Sequence, residues 1–379
     1  MGGWIVLSGG RIHSLGQGSC SLSGKVENLG DVAILPGLVN AHTHLEFSDC
    51  RQPIGKPGTP LQTWIGQVIR SRGQRSADQT REAIAAGLAE AVGSGTTLIG
   101  EISTPVEAKP DATWLASNQT CQLVSFAEVL GLSPERGNER LSAAESFVRN
   151  HESAGYSPHA PYSTPWHLIQ QAVHRAVRDD CGVAMHVAES PDERPLIQDG
   201  TGPFAESLRQ LDLWRDGLFP WASGDYCDLI RLLAQAKFAL IVHGNDLNAR
   251  EIECLGQHPN ATVVYCPRTH AFFGHRPHPV RQLLDAGINV ALGTDSRASN
   301  PDLSLWGEVQ WMLAHRHDVT PMQVLELATQ RGAQALGLAD QYGTLTPGKS
   351  ANLAVLPTAA VTLEQLIDDM ANRVVTPHS

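Results

Sequence analysis

The sequence contains little that would suit a membrane, a nucleic acid or secretion. No run in its 379 residues approaches the roughly 18 consecutive apolar residues of a membrane-spanning helix, and the first residues lack the basic and hydrophobic regions of a signal peptide. There is no basic run, and 39 acidic against 28 basic side chains give a formal net charge of −11. Nucleic acids and anionic membranes are bound through clustered Lys and Arg, so neither is an expected partner. We expect a cytoplasmic protein.

Cysteine is also scarce, whereas histidine is abundant. The seven cysteines are scattered and include no Cys-x-x-Cys, which argues against a disulfide framework and against a structural zinc knuckle. The chain has 16 histidines. Because histidine is the commonest metal ligand and titrates near neutral pH, the positions of these residues are the main indication of function.

Short apolar segments that end in polar residues alternate with segments of helical periodicity. Eight candidate strands lie at 34–41, 96–101, 121–128, 154–159, 183–188, 238–243, 262–266 and 289–295. Helical patterns lie between them, for example at 80–93, 166–178 and 321–336. Eight strands that alternate with helices over about 300 residues predict a closed parallel (β/α)8 barrel of the TIM type rather than an open sheet. The chain ends differ: residues 1–36 and 343–357 form short segments with glycine turns, and we expect them to pair beside the barrel.

Side chains of the metal-binding type close several of these predicted strands. His42 and His44 end the first strand, where alternation places them on one face. His186, His243 and Asp295 each end a later apolar run. All strand C-termini of a parallel barrel converge on one mouth, where such enzymes build their sites. Imidazoles with one carboxylate suit Zn²⁺, with Fe²⁺ or Mn²⁺ as alternatives.

These segments resemble the amidohydrolase superfamily, specifically its branch of cytosine, guanine and S-adenosylhomocysteine deaminases. The similarity runs in order along nearly the whole chain, through residues 36–44, 186–189, 243–244, 293–296 and 343–353. A local similarity to aminodeoxyfutalosine deaminases lies in 42–48, Trp64 and 68–70. The resemblance implies a barrel over 37–342 with a small composite β-sandwich formed by the two termini, residues 1–36 plus 343–379.

The resemblance further implies one metal ion held by His42, His44, His186 and Asp295. The carboxylated lysine of binuclear relatives has no candidate, because the strand at 154–159 contains no lysine. The implied activity is hydrolytic deamination of an aminated purine-type ring in an adenine-bearing nucleoside, such as S-adenosylhomocysteine, methylthioadenosine or aminodeoxyfutalosine. Hydroxide on the metal would attack the ring carbon and release ammonia, since bound Zn²⁺ lowers the pKa of its water to about 7.

Three residues are expected to handle protons: Asp295, His243 and Glu189. Asp295 and His243 are expected next to the attacking water, where they can take its proton and hold the hydroxide in place. Glu189 lies three residues after His186 and therefore on a loop past the strand end, where a carboxylic acid can protonate a ring nitrogen and the departing ammonia.

Substrate contacts are predicted in three segments. His159, in Ser157-Pro158-His159-Ala160-Pro161, matches a segment that supplies a substrate-contacting histidine in this branch. Gln62 and Trp64 lie in a segment that resembles a pocket-closing loop, and Gln62 stands where several relatives have a ribose-binding carboxylate. Arg268 and His270 follow the seventh strand and either contact a polar substrate group or belong to a loop whose phenylalanines pack inward.

Some alternatives stay open and some motifs are rejected. A chlorohydrolase or a cyclic amide hydrolase could use the same fold, whereas a non-catalytic relative would require a broken site. Residues 343–350 match the P-loop pattern, but a phosphate-binding loop needs a strand before it and a helix after it, and the expected order here is the reverse. His270, His275 and His278 are interpreted as a solvated loop rather than as a second metal site. A small molecule is the expected partner, and a homodimer is one expectation for the assembly.

Overall fold

Strands and helices alternate along most of the described chain. The computed structural model describes residues 2–21, 24–72, 75–104, 121–221, 224–360 and 362–378. The strands are β1 (Gly3–Ser8), β2 (Arg11–Gln17), β3 (Val32–Pro36), β4 (Leu38–Thr43), β5 (Thr96–Ser103), β6 (Gln122–Val129), β7 (Ala154–Pro158), β8 (Val183–Val187), β9 (Ala239–His243), β10 (Ala261–Tyr265), β11 (Asn289–Leu292), β12 (Leu353–Pro357) and β13 (Thr376–His378). The helices are α1 (Leu61–Arg72), α2 (Ala77–Gly93), α3 (Pro134–Arg149), α4 (Trp166–Arg178), α5 (Glu193–Asp199), α6 (Gly202–Gln210), α7 (Cys227–Leu233), α8 (Ala249–Gly256), α9 (Pro267–Phe273), α10 (Val280–Asp285), α11 (Leu305–His315), α12 (Pro321–Leu327), α13 (Gln330–Ala335) and α14 (Leu363–Asn372).

The eight strands β4 to β11 form one parallel sheet in chain order. The sheet closes between its first and last strands, because the Thr294 amide donates to the His42 carbonyl over 3.1 Å and Thr43 pairs with Asp295 in a parallel bridge. The predicted (β/α)8 barrel is therefore confirmed. The predicted strand at 34–41 is two strands, β3 and β4, which meet at Gly37. Gly37 lies so close to the Thr97 side chain that a Cβ atom would collide with it.

The helices bury one apolar face against this sheet. In α4, the buried side chains Leu168, Ile169, Ala172, Val173 and Ala176 follow the helical period. The helix predicted over 321–336 is two helices, α12 and α13. Between them Thr329 has φ −134° and ψ −91°, which is not a helical conformation. None of the helices in the described ranges is both long and apolar enough to cross a membrane.

The inside of the barrel is apolar towards the start of the strands. Val39, Leu98, Phe126 and Leu240 are buried there in one cluster, to which α13 contributes Ala333 and Ala335. Polar side chains are buried at the other end, where the strands finish. The packed interior therefore supports a polar mouth, as in other barrels of this type.

The two chain ends meet beside the barrel. β12 pairs antiparallel with both β3 and β13, and β1 forms a hairpin with β2. Ile12 of β2 exchanges backbone hydrogen bonds of 2.8 Å with residues 348 and 349. The segment that matches the P-loop pattern therefore leads into a strand, β12. The division into a sandwich of 1–36 plus 343–379 and a barrel of 37–342 stays a prediction.

Candidate active site

Three histidines and one aspartate lie together at the mouth of the barrel. His42 is on β4, His44 follows that strand, and His186 is on β8. One ring nitrogen from each histidine lies within 4.8 Å of those of the other two, so the three could hold a metal ion. The Oδ1 atom of Asp295 lies 3.6 Å from Nε2 of His42 and 3.7 Å from Nε2 of His44. All four side chains are buried.

The chemistry of these donors suits a metal ion. Burial lowers the pKa of His42 and His44 well below the ordinary value and lowers that of His186 to about 4, so neutral rings offer lone pairs. Nδ1 of His186 donates to the His159 carbonyl over 2.8 Å, which leaves Nε2 as the lone-pair nitrogen. Both ring nitrogens of His42 are buried without a hydrogen-bond partner among the described residues. A buried polar atom without a hydrogen-bond partner destabilises the folded protein. A bond to a metal ion would satisfy one of the two nitrogens.

His243 and Glu189 face each other beside this cluster. His243 ends β9, and its Nε2 lies 3.6 Å from Oε1 of Glu189. The His243 ring centroid is 5.8 Å from that of His42 and 5.4 Å from that of His186. Burial lowers the pKa of His243 well below its ordinary value. The predicted proton-handling pair is thus in contact with the predicted metal ligands.

The environment of Glu189 favours the neutral carboxylic acid. Burial, followed by the nearby charge of Asp295, raises the pKa of Glu189 well above its ordinary value. The hydroxyl of Tyr162 lies 3.5 Å from Oε2 of Glu189. A carboxyl group that keeps its proton near neutral pH can act as a general acid.

Further polar side chains lie next to His159, and the sequence motifs did not predict most of them as site residues. The His159 ring lies 4.9 Å from the His186 ring, and its Nε2 is 3.9 Å from Oε1 of Glu128. Oγ1 of Thr104 links Glu128, at 3.4 Å, to Glu46, at 3.1 Å. Arg72 donates to both oxygens of Glu46 over 2.6 and 2.8 Å. Glu128 lies at the end of β6, so the rule that found the histidines, a polar residue that closes an apolar run, could have found it.

The segment predicted to be a pocket-closing loop is the first part of helix α1. Trp64 donates from Nε1 to the Ala298 carbonyl over 3.3 Å, and its ring packs edge-on against Phe273 at 5.2 Å. Oε1 of Gln62 is buried without a hydrogen-bond partner among the described residues. Both residues are therefore held on a helix, and their contact with substrate stays a prediction.

The segment after β10 is also a helix, α9, and its polar groups have partners within the protein. Arg268 pairs with Glu308 and with Asp302, each over 2.7 Å. His270 bonds through Nε2 to the Arg276 carbonyl over 2.9 Å. This geometry favours the alternative in which the segment packs inward, and Phe273 is buried.

The expectation of a solvated histidine loop is wrong for His270 and His278, because both are buried. The His278 ring stacks on Tyr265 with centroids 3.9 Å apart. Its Nε2 lies 2.9 Å from the carbonyl oxygen of His243. His278 thus supports the strand end that carries His243, a role that depends on tertiary contact and leaves no local signal.

A closed barrel with buried histidines and an aspartate at its mouth is the arrangement of metal-dependent hydrolases. The model of the amidohydrolase family matches residues 33–376. The chain therefore belongs to the amidohydrolase family, and it is a hydrolase that acts on carbon–nitrogen bonds.

Several relatives share nearly the whole chain. The 5-methylthioadenosine/S-adenosylhomocysteine deaminase of Moorella thermoacetica is 29% identical over 378 residues, which cover 93% of this chain and 81% of that protein. The Helicobacter pylori aminofutalosine deaminase in complex with methylthio-coformycin has a TM-score of 0.80 at 24% identity, over 98% of this chain and 92% of that one. A Xanthomonas campestris adenosine deaminase with bound zinc has a TM-score of 0.72 at 22% identity, over 98% and 84% of the chains. The two structures show that the fold is shared.

Proposed function

We propose that this protein is a zinc-dependent deaminase of an adenine-bearing nucleoside, which it hydrolyses with release of ammonia. The observation that carries the proposal is the carboxyl group of Glu189, buried and inclined to stay protonated, next to a buried cluster of neutral imidazoles and Asp295. Replacement of an amino group on a purine ring needs an acid that can protonate the ring and the leaving amine. The printed names of the relatives, deaminases of methylthioadenosine, S-adenosylhomocysteine, aminofutalosine and adenosine, support this class of substrate.

His42, His44, His186 and Asp295 would hold a single metal ion. Three imidazoles and a carboxylate are the donors that Zn²⁺ prefers, and Fe²⁺ or Mn²⁺ accept the same set. When bound, such an ion supplies an acidified water as the nucleophile and an electrophile for the substrate. The ring nitrogens of His42, which are buried without a hydrogen-bond partner in the described part of the chain, support this assignment.

Glu189 and His243, which lie beside the metal ligands, have different roles in proton transfer. Glu189 donates its proton to the ring nitrogen next to the carbon under attack, which makes that carbon more electrophilic. His243, neutral because it is buried, can accept a proton at Nε2, 3.6 Å from Oε1 of Glu189. The proton that His243 accepts is the one that the attacking water gives up, and His243 passes it to Glu189, which has by then lost its own proton to the ring nitrogen. Glu189 then gives this proton to the departing amine, so that ammonia leaves rather than an amide anion.

His159 lies on the same mouth and is proposed to contact the substrate ring. Its Nδ1 is 2.6 Å from Oγ of Ser163, and burial lowers its pKa to about 4, so the ring is neutral and can donate or accept one hydrogen bond. Trp64 and Gln62 on α1 are proposed to contact the remainder of the nucleoside. Arg268 and His270 are proposed to pack in the wall of the site without contacting the substrate, because their polar groups already have partners within the protein. A cytoplasmic homodimer remains our expectation for the assembly.

The test is an ammonia-release screen of the purified protein, with elemental analysis of the same sample. The panel contains adenosine, methylthioadenosine, S-adenosylhomocysteine, aminodeoxyfutalosine, guanine and cytosine, with a chlorinated triazine and a cyclic amide as competitors. We expect about one zinc per chain, as in mononuclear catalytic sites, and ammonia from at least one adenine nucleoside. Release of chloride, or ring opening without ammonia, from the competitors alone would replace the deaminase proposal by one of the alternatives.

A further inference from the structure

Glu189 lies in a short turn, residues 187–190, which begins at the last residue of β8. One side of this Glu189 turn is held by the segment that follows β9. The amides of Gly244 and Asp246 donate to the carbonyls of Val187 and Ala188, each over 3.0 Å. The side-chain amide of Asn245 donates to the Glu189 carbonyl over 2.9 Å. The carbonyls of three consecutive residues thus have partners in the segment 244–246.

The other side of the Glu189 turn is held by Glu193, the first residue of α5. Oε1 of Glu193 accepts the Ser190 amide over 2.9 Å, and the Glu193 amide donates to the Ser190 carbonyl over 3.1 Å. Oε2 of Glu193 lies 3.5 Å from the hydroxyl of Tyr226. The Glu193 side chain is fully buried. Its carboxyl group therefore lies between the Glu189 turn and Tyr226, the residue before α7.

The turn needs such support because its backbone is strained. Ala188 has φ +53°, in the left-handed region that residues with a Cβ atom rarely adopt. Such conformations persist where the surrounding contacts over-determine them, and they are concentrated at functional sites. Without the bond from Glu193, the strain at Ala188 could relax by rotation of the Glu189 turn, and the Glu189 carboxyl would move away from His243.

We propose that Glu193 is a positioning residue for the deamination reaction: by accepting the Ser190 amide it holds the Glu189 turn, and hence the Glu189 carboxyl, towards the metal ligands. Glu193 itself does not reach the substrate. The inference rests on the function proposed above for Glu189, and it adds a residue four positions further along the chain that acts through the backbone.

The geometry of the bond, rather than the charge of Glu193, should carry this role. Burial raises the pKa of Glu193 to about 8, against the opposing effect of nearby backbone amides. At neutral pH the side chain is therefore mostly an uncharged carboxylic acid. A glutamine can accept the Ser190 amide with its own Oε1 and donate to Tyr226, whereas an aspartate keeps the acid but is about 1.5 Å shorter.

The experiment compares Glu193→Gln, Glu193→Asp and the matched control Glu145→Asp in the metal-loaded enzyme. Glu145 on α3 is likewise an acid with partners inside the protein, since it accepts from Arg175 over 3.1 Å and pairs with Arg178 over 3.0 Å. It makes no described hydrogen bond to the Glu189 turn or to the segment 244–246. Ammonia release gives kcat and KM, thermal denaturation gives Tm, and amide hydrogen exchange of a peptide that spans 187–195 reports the turn.

We expect Glu193→Asp to lower kcat by up to about 100-fold, the scale that a misplacement of about 1 Å can cause, with metal content and KM nearly unchanged and with faster exchange at the turn. Glu193→Gln should retain kcat within about 3-fold and normal exchange. Glu145→Asp should lower Tm at most slightly and leave kcat and the turn unchanged.

Three results would overturn the proposal: normal exchange at the turn in Glu193→Asp, a larger loss of kcat in Glu193→Gln than in Glu193→Asp, or equal losses of kcat in Glu193→Asp and Glu145→Asp. Failure of the proposed function is recognised separately, because the parent protein would then release no ammonia from any nucleoside. The exchange measurement does not depend on a substrate and would still decide whether Glu193 holds the turn.

Discussion

Replacement of Glu189 by glutamine is the sharpest test of the proposed chemistry. The side chain is buried, its pKa is raised, and it makes no ion pair with a Lys or Arg among the described residues. A glutamine of the same size and zero charge should therefore fit the same space, with Oε1 near His243 and with Tyr162 still in reach. The fold, the Tm and the metal content should change little.

The Glu189→Gln substitution should lower kcat and leave the other measured quantities almost unchanged. A positioned general acid contributes roughly 10² to 10⁴ in rate, and at 1.36 kcal/mol for each tenfold change this corresponds to about 2.7 to 5.4 kcal/mol in the activation barrier. An amide cannot deliver a proton to the ring or to the leaving amine, so kcat of Glu189→Gln should fall by that factor, while KM changes little.

The assay is ammonia release at saturating substrate, with elemental analysis of each preparation. Glu253→Gln on the exposed side of α8 is the matched control and should behave as the parent does. If Glu189→Gln binds metal and retains turnover within about 3-fold of the parent, Glu189 is not the general acid, and the mechanism proposed for this site is wrong.

Three further predictions concern the site and its support. His42→Ala and Asp295→Ala should each reduce the metal content measured by elemental analysis, and unchanged content in both would refute the assigned ligands. Gly293→Ala would place a Cβ atom 2.9 Å from the His42 carbonyl oxygen. Such overpacking costs about 1 to 3 kcal/mol, so both Tm and metal affinity should fall. A normal metal affinity would contradict the close contact. Arg268→Ala leaves the fully buried Glu308 without its cation, which should reduce the free energy of unfolding by about 3 to 5 kcal/mol. The expected result is a lower Tm with an unchanged KM. A raised KM at normal Tm would instead make Arg268 a substrate contact.

Much of the barrel could be predicted from the sequence because each strand is buried on both faces. Such strands are continuous apolar runs, and all eight predicted segments overlap the observed barrel strands. The boundaries were less certain where packing decides them. The break between β3 and β4 depends on the close approach of Thr97 to Gly37, and the break between α12 and α13 depends on the conformation of Thr329. The contact between Gly37 and Thr97 is not local in the sequence.

The candidate site was predictable where one simple rule applies. In a parallel barrel, the residue that ends a strand faces the mouth, so His42, His186, His243 and Asp295 could be placed together although up to 253 positions separate them. The rule does not apply to side chains that lie on helices. Gln62 and Trp64 lie on a helix where a loop was expected, and Arg268 is held by acids from a later segment.

The sequence by itself determined the family, the barrel and the residues that close its strands, because apolar runs and their polar ends are local features whose meeting point follows from parallel topology. Only the tertiary structure decided which of these groups are neutral, which are already paired and which residues hold them. Burial raises the pKa of Glu189 and lowers that of His243, and burial is a property of the packed chain. The support that Glu193 gives to the Glu189 turn arises in the same way, from a carboxyl group that folding removes from water and brings to a backbone amide.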